Sequence, residues 1–216
     1  MRELTETEKR QLEQHSLWIE SNHRKGERLD WSLADLNGVY LHGAALCCAN
    51  LYGAQLSDAD MHEARLRGAN LYCANLCDAL LCNADLREAD MRGANLRGAG
   101  LRLASPCGAD LRGADLRGAN LRGADLSGAN LSKANGYIGF ENVGSEGRTL
   151  HCTIHADGWH CYTGCFGGTL DEFEKAVESV HGNDRYGEQY RAIIACLRML
   201  EPMYLAEMNE QEVNDA

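Results

Sequence analysis

Six cysteine and histidine side chains in the last third of the chain are the residues whose types could support metal binding or catalysis. Thiolates and imidazoles are ligands that zinc prefers, so four of the six could hold a zinc ion. A cysteine beside a histidine could also act as a nucleophile. The six candidates are His151, Cys152, His155, His160, Cys161 and Cys165.

The spacing of these six residues favours a structural role. It lacks the C-x-x-C pairs typical of zinc sites, and alternate residues of a strand point to opposite faces of a sheet. We therefore expect Cys152 and Cys161 to be core residues, and no third group that would orient a nucleophilic pair is apparent. We predict no catalytic residue, no cofactor and no bound metal, with a zinc-binding or enzymatic C-terminal domain kept as an alternative.

A five-residue repeat occupies the middle of the chain, and it determines where the polar side chains of that region lie. From Ala34 to Ala134 every fifth residue is alanine, except Val39. Two residues later comes leucine, and Asp or Asn usually lies between the two. The unit is therefore Ala-(Asp/Asn)-Leu-x-x, and the leucine position departs from this pattern at Met61, Met91 and Pro106.

A period of five fits neither an α-helix nor a strand. The invariably apolar positions must point inward, and four such sides would make a coil of about twenty residues, stacked at strand spacing, ~4.8 Å. The Asp and Asn side chains are expected to bond local backbone at the corners. Pro106 has no N–H, so we expect a missing inter-coil hydrogen bond or a bulge there.

These repeats resemble the pentapeptide-repeat family, whose members form a right-handed quadrilateral β-helix. Together with helix and strand signals in the flanking segments, the resemblance predicts a mainly β protein in three parts. They are a capping helix over residues 1–28, a β-helix of about five coils over 29–135, and a small α+β domain over 136–216. Some members of the family mimic duplex DNA and bind DNA gyrase, including those that protect it from quinolones.

Both flanks carry helix signals. A capping box at Thr5 and Glu8 predicts a helix that ends near residues 21–22 and lies over the first coil. In the tail, residues 149–155 and 159–166 predict a β-hairpin, with residues 156–158 as its turn. A second capping box at Thr169 opens a helix to His181, with Gly182 as its stop. A last helix is expected over residues 186–208, its apolar stripe comprising Ala192, Ile193, Leu197, Leu200 and Tyr204.

The tail also resembles a short domain that follows such repeats in phage and prophage proteins. The matching segments are residues 139–147 and 164–173, and residues 15–21 resemble the lead-in helix of those proteins. The resemblance implies a phage- or prophage-encoded modulator of a host protein, including a defence system. It places the protein in the cytoplasm of a bacterial cell or phage-infected host.

Exposed side chains that are twenty residues apart in the repeat region lie on the same face of the coil. One face joins two tyrosines to two arginines, and another places His42 below His62, where a metal is conceivable but histidines without a ligand are commoner. Aromatic and arginine side chains are favoured in protein interfaces, although arginine among aspartates can also serve solubility alone. The interaction candidates are Tyr52, Tyr72, Arg92, Arg97, Arg102, Arg112, Arg117 and Arg122.

The charge distribution discriminates between the candidate partners. The net charge is −11, yet residues 34–135 hold ten Lys/Arg and eleven Asp/Glu, whereas residues 136–216 hold five and fourteen. A nearly neutral repeat region argues against DNA mimicry, and overall acidity opposes nucleic-acid binding. We find no secretory signal or membrane-spanning run, and expect the ten cysteines to be reduced thiols.

The sequence therefore predicts a non-enzymatic protein that binds another macromolecule, with a protein as the partner. We expect no direct contact with nucleic acid or membrane, and a homodimer through the C-terminal domain. A DNA-mimicking modulator of DNA gyrase or another topoisomerase is the alternative function.

Overall fold

The computed structural model describes residues 1–144, 148–164 and 166–214, without the side chains of 209 and 211–214. The chain divides into two compact units. One comprises Met1–Asn120 and Ala124–Asn135, and the other comprises Leu121–Gly123 and Gly136–Ala216. We describe the first as the repeat unit and the second as the C-terminal unit.

The repeats wind into coils of twenty residues, because parallel bridges join residues twenty positions apart, from Asp30–Asn50 to Asp115–Asn135. In a typical pair, the Leu76 N–H donates to the Asn95 carbonyl at 2.7 Å. The Asn95 N–H donates in turn to the Ala74 carbonyl at 3.0 Å. Four repeats therefore complete one coil, as the period predicts.

Each repeat turns a corner at its last residue, where the backbone adopts a positive φ. At Gly113 φ is +67° and an added Cβ would meet no atom within 4 Å, so the backbone angle alone favours glycine. Leu103 adopts a φ of 58° at the same repeat position, so other residues are tolerated. The Asp/Asn side chain braces the corner as predicted: the Arg97 N–H donates to Asn95 Oδ1 at 3.2 Å.

Alanine and leucine side chains fill the interior of the coils. The inward Leu and Met residues from Leu46 to Leu96 are 0% exposed, and the inward alanines from Ala49 to Ala119 are at most 1% exposed. Such a section is packed like a protein core. Ligands must therefore bind to the outer faces of this part of the coil.

Pro106 interrupts the hydrogen-bond ladder, as predicted. The Asp125 N–H still donates to the Ala104 carbonyl at 2.9 Å. The reciprocal bond would need an N–H on Pro106, and no Ser105–Asp125 bridge forms in this described part of the chain.

Helix α1 (Glu6–Glu20) begins with the predicted capping box. The Thr5 N–H donates to Glu8 Oε2 at 2.7 Å, and the Glu8 N–H donates to Thr5 Oγ1 at 3.3 Å. Arg2 Nη2 donates to Glu8 Oε1 at 2.9 Å. This bond from Arg2 lowers the pKa of Glu8 to about 2, so the carboxylate is ionised at neutral pH.

The same helix covers the first coil through two polar contacts. The fully buried His15 accepts the Leu29 N–H at Nδ1, at 3.0 Å. Trp31 Nε1 donates to Gln11 Oε1 at 2.8 Å. These bonds fix the helix to the first repeat, where an uncovered coil end would expose apolar side chains.

The C-terminal unit contains a four-stranded antiparallel sheet in the order β1-β2-β3-β4. Its strands are β1 (Tyr137–Val143), β2 (Arg148–His155), β3 (Gly158–Thr163) and β4 (Phe166–Thr169). The predicted hairpin is the central pair, β2 and β3. The sequence did not predict the outer strands.

Two helices complete this unit: α2 (Leu170–His181), with the predicted capping box and Gly182 as its C-cap, and α3 (Arg185–Asn214). Within the predicted α3 stripe, Leu197 is buried, but Ala192 is exposed and Ile194 is buried instead. Helix α3 also continues through Pro202 and past the predicted end at 208.

No helix within the described residues is long and apolar enough to cross a bilayer.

Candidate functional site

Four side chains at twenty-residue spacing form a continuous row on one face of the repeat unit. We call Tyr52, Tyr72, Arg92 and Arg112 the Tyr–Arg ladder. The Tyr52 and Tyr72 rings stack with centroids 5.8 Å apart and planes at 18°. The Arg92 guanidinium lies 5.1 Å from the centroid of the Tyr72 ring, within the range of a cation–π interaction.

Aspartates two residues earlier in the chain hold the ladder arginines in place. Arg92 makes two bonds to Asp90, Nε to Oδ1 at 2.8 Å and Nη2 to Oδ2 at 2.6 Å. Arg112 bonds Asp110 in the same manner, at 2.7 Å from Nη2. The guanidinium bonds lower the pKa of both carboxyls, and Arg92 also lies 3.7 Å from Asp110. The row is thus a charge-paired and oriented surface.

Asparagines align the backbone under the tyrosines. Asn70 Nδ2 donates to Asn50 Oδ1 at 3.0 Å, which links neighbouring coils. The Tyr72 N–H donates to Asn70 Oδ1 at 3.2 Å. Tyr52 and Tyr72 are therefore fixed at their bases, while 41% and 38% of their surfaces stay exposed.

The remaining predicted interaction residues differ in accessibility. Arg102 and Arg122 are exposed and Arg97 is half-buried. Arg117 is 8% exposed and bonds the Asp115 carboxylate through Nε and Nη2, so it cannot present its charge to a partner. We therefore exclude Arg117 from the candidate interface and restrict that interface to the Tyr–Arg ladder, because Arg97 and Arg102 lie on other faces of the coil.

The structure separates the predicted zinc ligands onto two sheet faces. Cys152 and Cys161 lie opposite each other on β2 and β3, fully buried in the core. Their Sγ atoms are 3.5 Å apart, and this contact, together with burial, raises the pKa of Cys152. A neutral buried thiol is a poor metal ligand. Cys165 lies outside the described residues.

His151, His155 and His160 lie on the opposite face of the sheet. Tyr137, Thr153 and Tyr162 share that face, because Tyr137 pairs with Thr153 across β1 and β2. The His155 and His160 rings stack at 3.9 Å, and His160 Nε2 contacts Asp157 Oδ1 at 3.0 Å. Ligand atoms of His155, Asp157 and His160 lie within 4.8 Å of one another. Asp157 was not among the predicted ligands, although its position in the hairpin turn between the two histidines could have indicated it.

His151 is the buried member of this polar face. Its Nδ1 lies 2.7 Å from the Tyr137 hydroxyl, which can donate to it when the ring is neutral. Burial lowers the pKa of His151 to about 4, and burial raises the pKa of Tyr137. Both groups are therefore uncharged at neutral pH.

Acid is expected to destabilise the protein through His151. An unfolded histidine has a pKa of about 6.5, so between that value and about 4 the unfolded chain binds the additional proton. The stabilisation present at pH 7 is lost as the pH falls through this window, at most about 3 kcal/mol. Denaturant unfolding at pH 7.5 and 4.5 measures the loss. His151→Gln should lose less stability than the wild type between these pH values, and equal losses would refute the assignment.

Comparisons with known proteins agree with the repeat. The sequence profile described as Pentapeptide repeats (8 copies) matches residues 34–71, 69–105 and 107–135. Among solved structures, a pentapeptide repeat protein from the cyanobacterium Cyanothece 51142 is 36% identical over 40% of this chain, with a TM-score of 0.26. The match covers 58% of that protein, so the chain spans less than two thirds of its length.

Two further solved structures are similar to the chain at lower identity. A pentapeptide repeat protein from the Arabidopsis thaliana thylakoid lumen is 32% identical over 47% of this chain and 67% of that one, with a TM-score of 0.27. QnrB1, a plasmid-mediated fluoroquinolone resistance protein, is 24% identical over 48% of this chain and 65% of that one, also with a TM-score of 0.27. No curated protein matches the chain.

Proposed function

Because the chain belongs to the pentapeptide-repeat family, we propose that it is a non-enzymatic binding protein whose Tyr–Arg ladder contacts a protein partner. The observation that carries this proposal is the row itself. Two stacked tyrosines continue into an arginine that lies over the second ring. Tyr and Arg are enriched among the residues that dominate binding energy at protein interfaces.

The ordering of the ladder supports this function. Binding a partner costs the side-chain entropy of the contact residues. Here Asp90 and Asp110 already hold the arginines, and the tyrosines already stack. The packed coil interior leaves no room for a substrate beneath them, which favours binding over catalysis.

Photo-crosslinking from a residue of the ladder tests whether a partner binds there and identifies it. A photoreactive phenylalanine analogue at Tyr72 should crosslink one protein in bacterial lysate. Lysates of infected and uninfected cells are compared. The same analogue at Ser127, which is exposed on another face, is the matched control. Equal crosslinking from both positions would argue against a partner specific to the ladder.

The biological setting we propose is modulation of a host protein by a phage or prophage, with a bacterial defence system as one target class. It rests on the resemblance of residues 139–147 and 164–173 to phage and prophage domains. A crosslinked partner encoded by the host chromosome, such as a defence protein, would support it. A partner encoded by a phage genome would oppose it.

DNA gyrase mimicry is the weaker alternative. It rests on the resemblance to family members that bind DNA gyrase. The repeat unit opposes it, because paired side chains such as Asp85 with Arg87 and Asp90 with Arg92 neutralise the acidic charge a phosphate mimic needs. A supercoiling assay without effect at micromolar protein would reject this alternative.

We also propose a homodimer through the outer face of α3. Cys196, Met199 and Met203 are exposed at helical spacing, with Met199 82% exposed. Met199→Glu is expected to convert the dimer to a monomer in light scattering, because it places a charge in the apolar contact. Glu178→Lys, an exposed change on α2, is the control. A monomeric wild type at high concentration would overturn the proposal.

A further inference from the structure

A cluster of metal-ligating side chains lies on another face of the repeat unit, away from the Tyr–Arg ladder. His42 and His62 occupy equivalent positions in neighbouring coils, and their rings stack with centroids 6.2 Å apart. One ligand atom from each of His42, Asp60 and His62 lies within 4.8 Å of the others. Two imidazoles and a carboxylate are a ligand set suited to zinc.

The Asp60 carboxylate differs from several others at its repeat position. Asp85, Asp90 and Asp110 each bond an arginine two residues later, which closes the pair. At Asp60 the following residue is His62, whose Nδ1 lies 2.7 Å from Asp60 Oδ1. This contact places an imidazole nitrogen and a carboxylate oxygen side by side, so a zinc ion that displaces the proton between them can take both as ligands.

The backbone holds the two histidines at a fixed separation. The Leu41 N–H donates to the Asp60 carbonyl at 2.7 Å, and the Gly43 N–H donates to the His62 carbonyl at 2.8 Å. These bonds flank His42 on both sides. The chain therefore brings the ligands together without the ordering cost that a flexible loop would incur.

Side-chain rotation suffices to complete the coordination. Bonds of about 2.1 Å put neighbouring ligand atoms of a tetrahedral zinc about 3.4 Å apart. The His42 side chain is 43% exposed and free of core packing, so it can move the remaining distance. Glu63 Oε2, 4.0 Å from His42 Nε2, is a further oxygen at the rim.

We infer that His42, Asp60 and His62 form a surface site for one divalent transition metal, zinc by preference, with open positions taken by water. The inference does not depend on the protein-binding proposal. The cluster of His155, Asp157 and His160 is the weaker candidate. There His155 Nε2 already contacts Thr153 Oγ1 at 2.9 Å and the Tyr162 hydroxyl at 3.3 Å.

Zinc titration of the untagged, chelator-treated full chain tests the site. Calorimetry should show one zinc ion per chain for the wild type. A His42→Ala/His62→Ala variant should bind at least tenfold more weakly, and His155→Ala/His160→Ala should bind like the wild type. Asp60→Asn, which keeps a side-chain oxygen, should show a smaller loss than the double variant.

A spectroscopic readout separates ligation from structural effects. Co²⁺ added in place of zinc should give visible d–d absorption without the near-ultraviolet charge-transfer band of thiolate ligation, and the His42/His62 variant should lose it. Unchanged thermal unfolding without metal shows that this variant is folded. Less than about a tenth of a zinc per chain, equal weakening in both double variants, or loss only in the His155/His160 variant would overturn the inference.

Discussion

Leu76→Ala is expected to lower the free energy of unfolding by about 2–5 kcal/mol. Leu76 is 0% exposed and occupies the same inward position as Leu56 and Leu96 in the neighbouring coils. Removing its side-chain atoms leaves a cavity, because inter-coil hydrogen bonds keep the backbone from collapsing into it. Urea unfolding followed by far-ultraviolet circular dichroism measures the change.

The matched control is a leucine at a corner. Leu103 is 50% exposed, so Leu103→Ala should change the free energy of unfolding by no more than about 0.5 kcal/mol. Similar losses for both variants, or a loss below about 1 kcal/mol for Leu76→Ala, would show that the interior is not packed as described.

Tyr72→Ala combined with Arg92→Glu is expected to weaken partner binding by at least about 100-fold, or ~3 kcal/mol. The change removes the central ring of the ladder and reverses the charge above it. It also breaks the cation–π contact, whose guanidinium lies 5.1 Å from the ring centroid. Calorimetry or surface plasmon resonance with the crosslinked partner measures the loss.

Two controls distinguish loss of the interface from local distortion. Asp90→Asn with Arg92→Gln removes both charges of one pair and avoids placing Glu beside Asp90. It should give an intermediate loss of affinity. Arg102→Glu changes an exposed arginine ten residues, half a coil, from Arg92, and should leave affinity unchanged. Equal affinity of the ladder variant and the wild type would refute the assignment.

Periodic residues made the repeat unit predictable from sequence. Ala and Leu at fixed spacing specified the inward positions, and Asp or Asn before each Leu specified the corner bonds. Both capping boxes, at Thr5 and Thr169, also marked the helix starts correctly. These features depend on local patterns, which the sequence displays directly.

Features that depend on distant partners were not predictable. Arg2 forms a backbone bridge with Val39, which no local pattern encodes. Strand β4 (Phe166–Thr169) contains two glycines, which weaken a strand signal. Strand β1 (Tyr137–Val143) lacks regular alternation of burial, so only pairing with β2 reveals it.

The candidate site was predictable in its positions but not in its accessibility. Twenty-residue steps correctly aligned Tyr52, Tyr72, Arg92 and Arg112. The same steps placed Arg117 on the surface, whereas its bonds to Asp115 leave it buried. The outcome depends on the side-chain conformation, which repeat periodicity does not determine.

Affinity capture from bacterial lysate, with and without phage infection, tests the binding proposal most directly when read by quantitative mass spectrometry. The wild type, the Tyr72→Ala/Arg92→Glu variant and the Arg102→Glu variant serve as baits. We predict a protein that is enriched by the wild-type and Arg102→Glu baits and lost with the Tyr72→Ala/Arg92→Glu bait. Equal enrichment by all three baits would contradict it and direct attention to the acidic C-terminal unit.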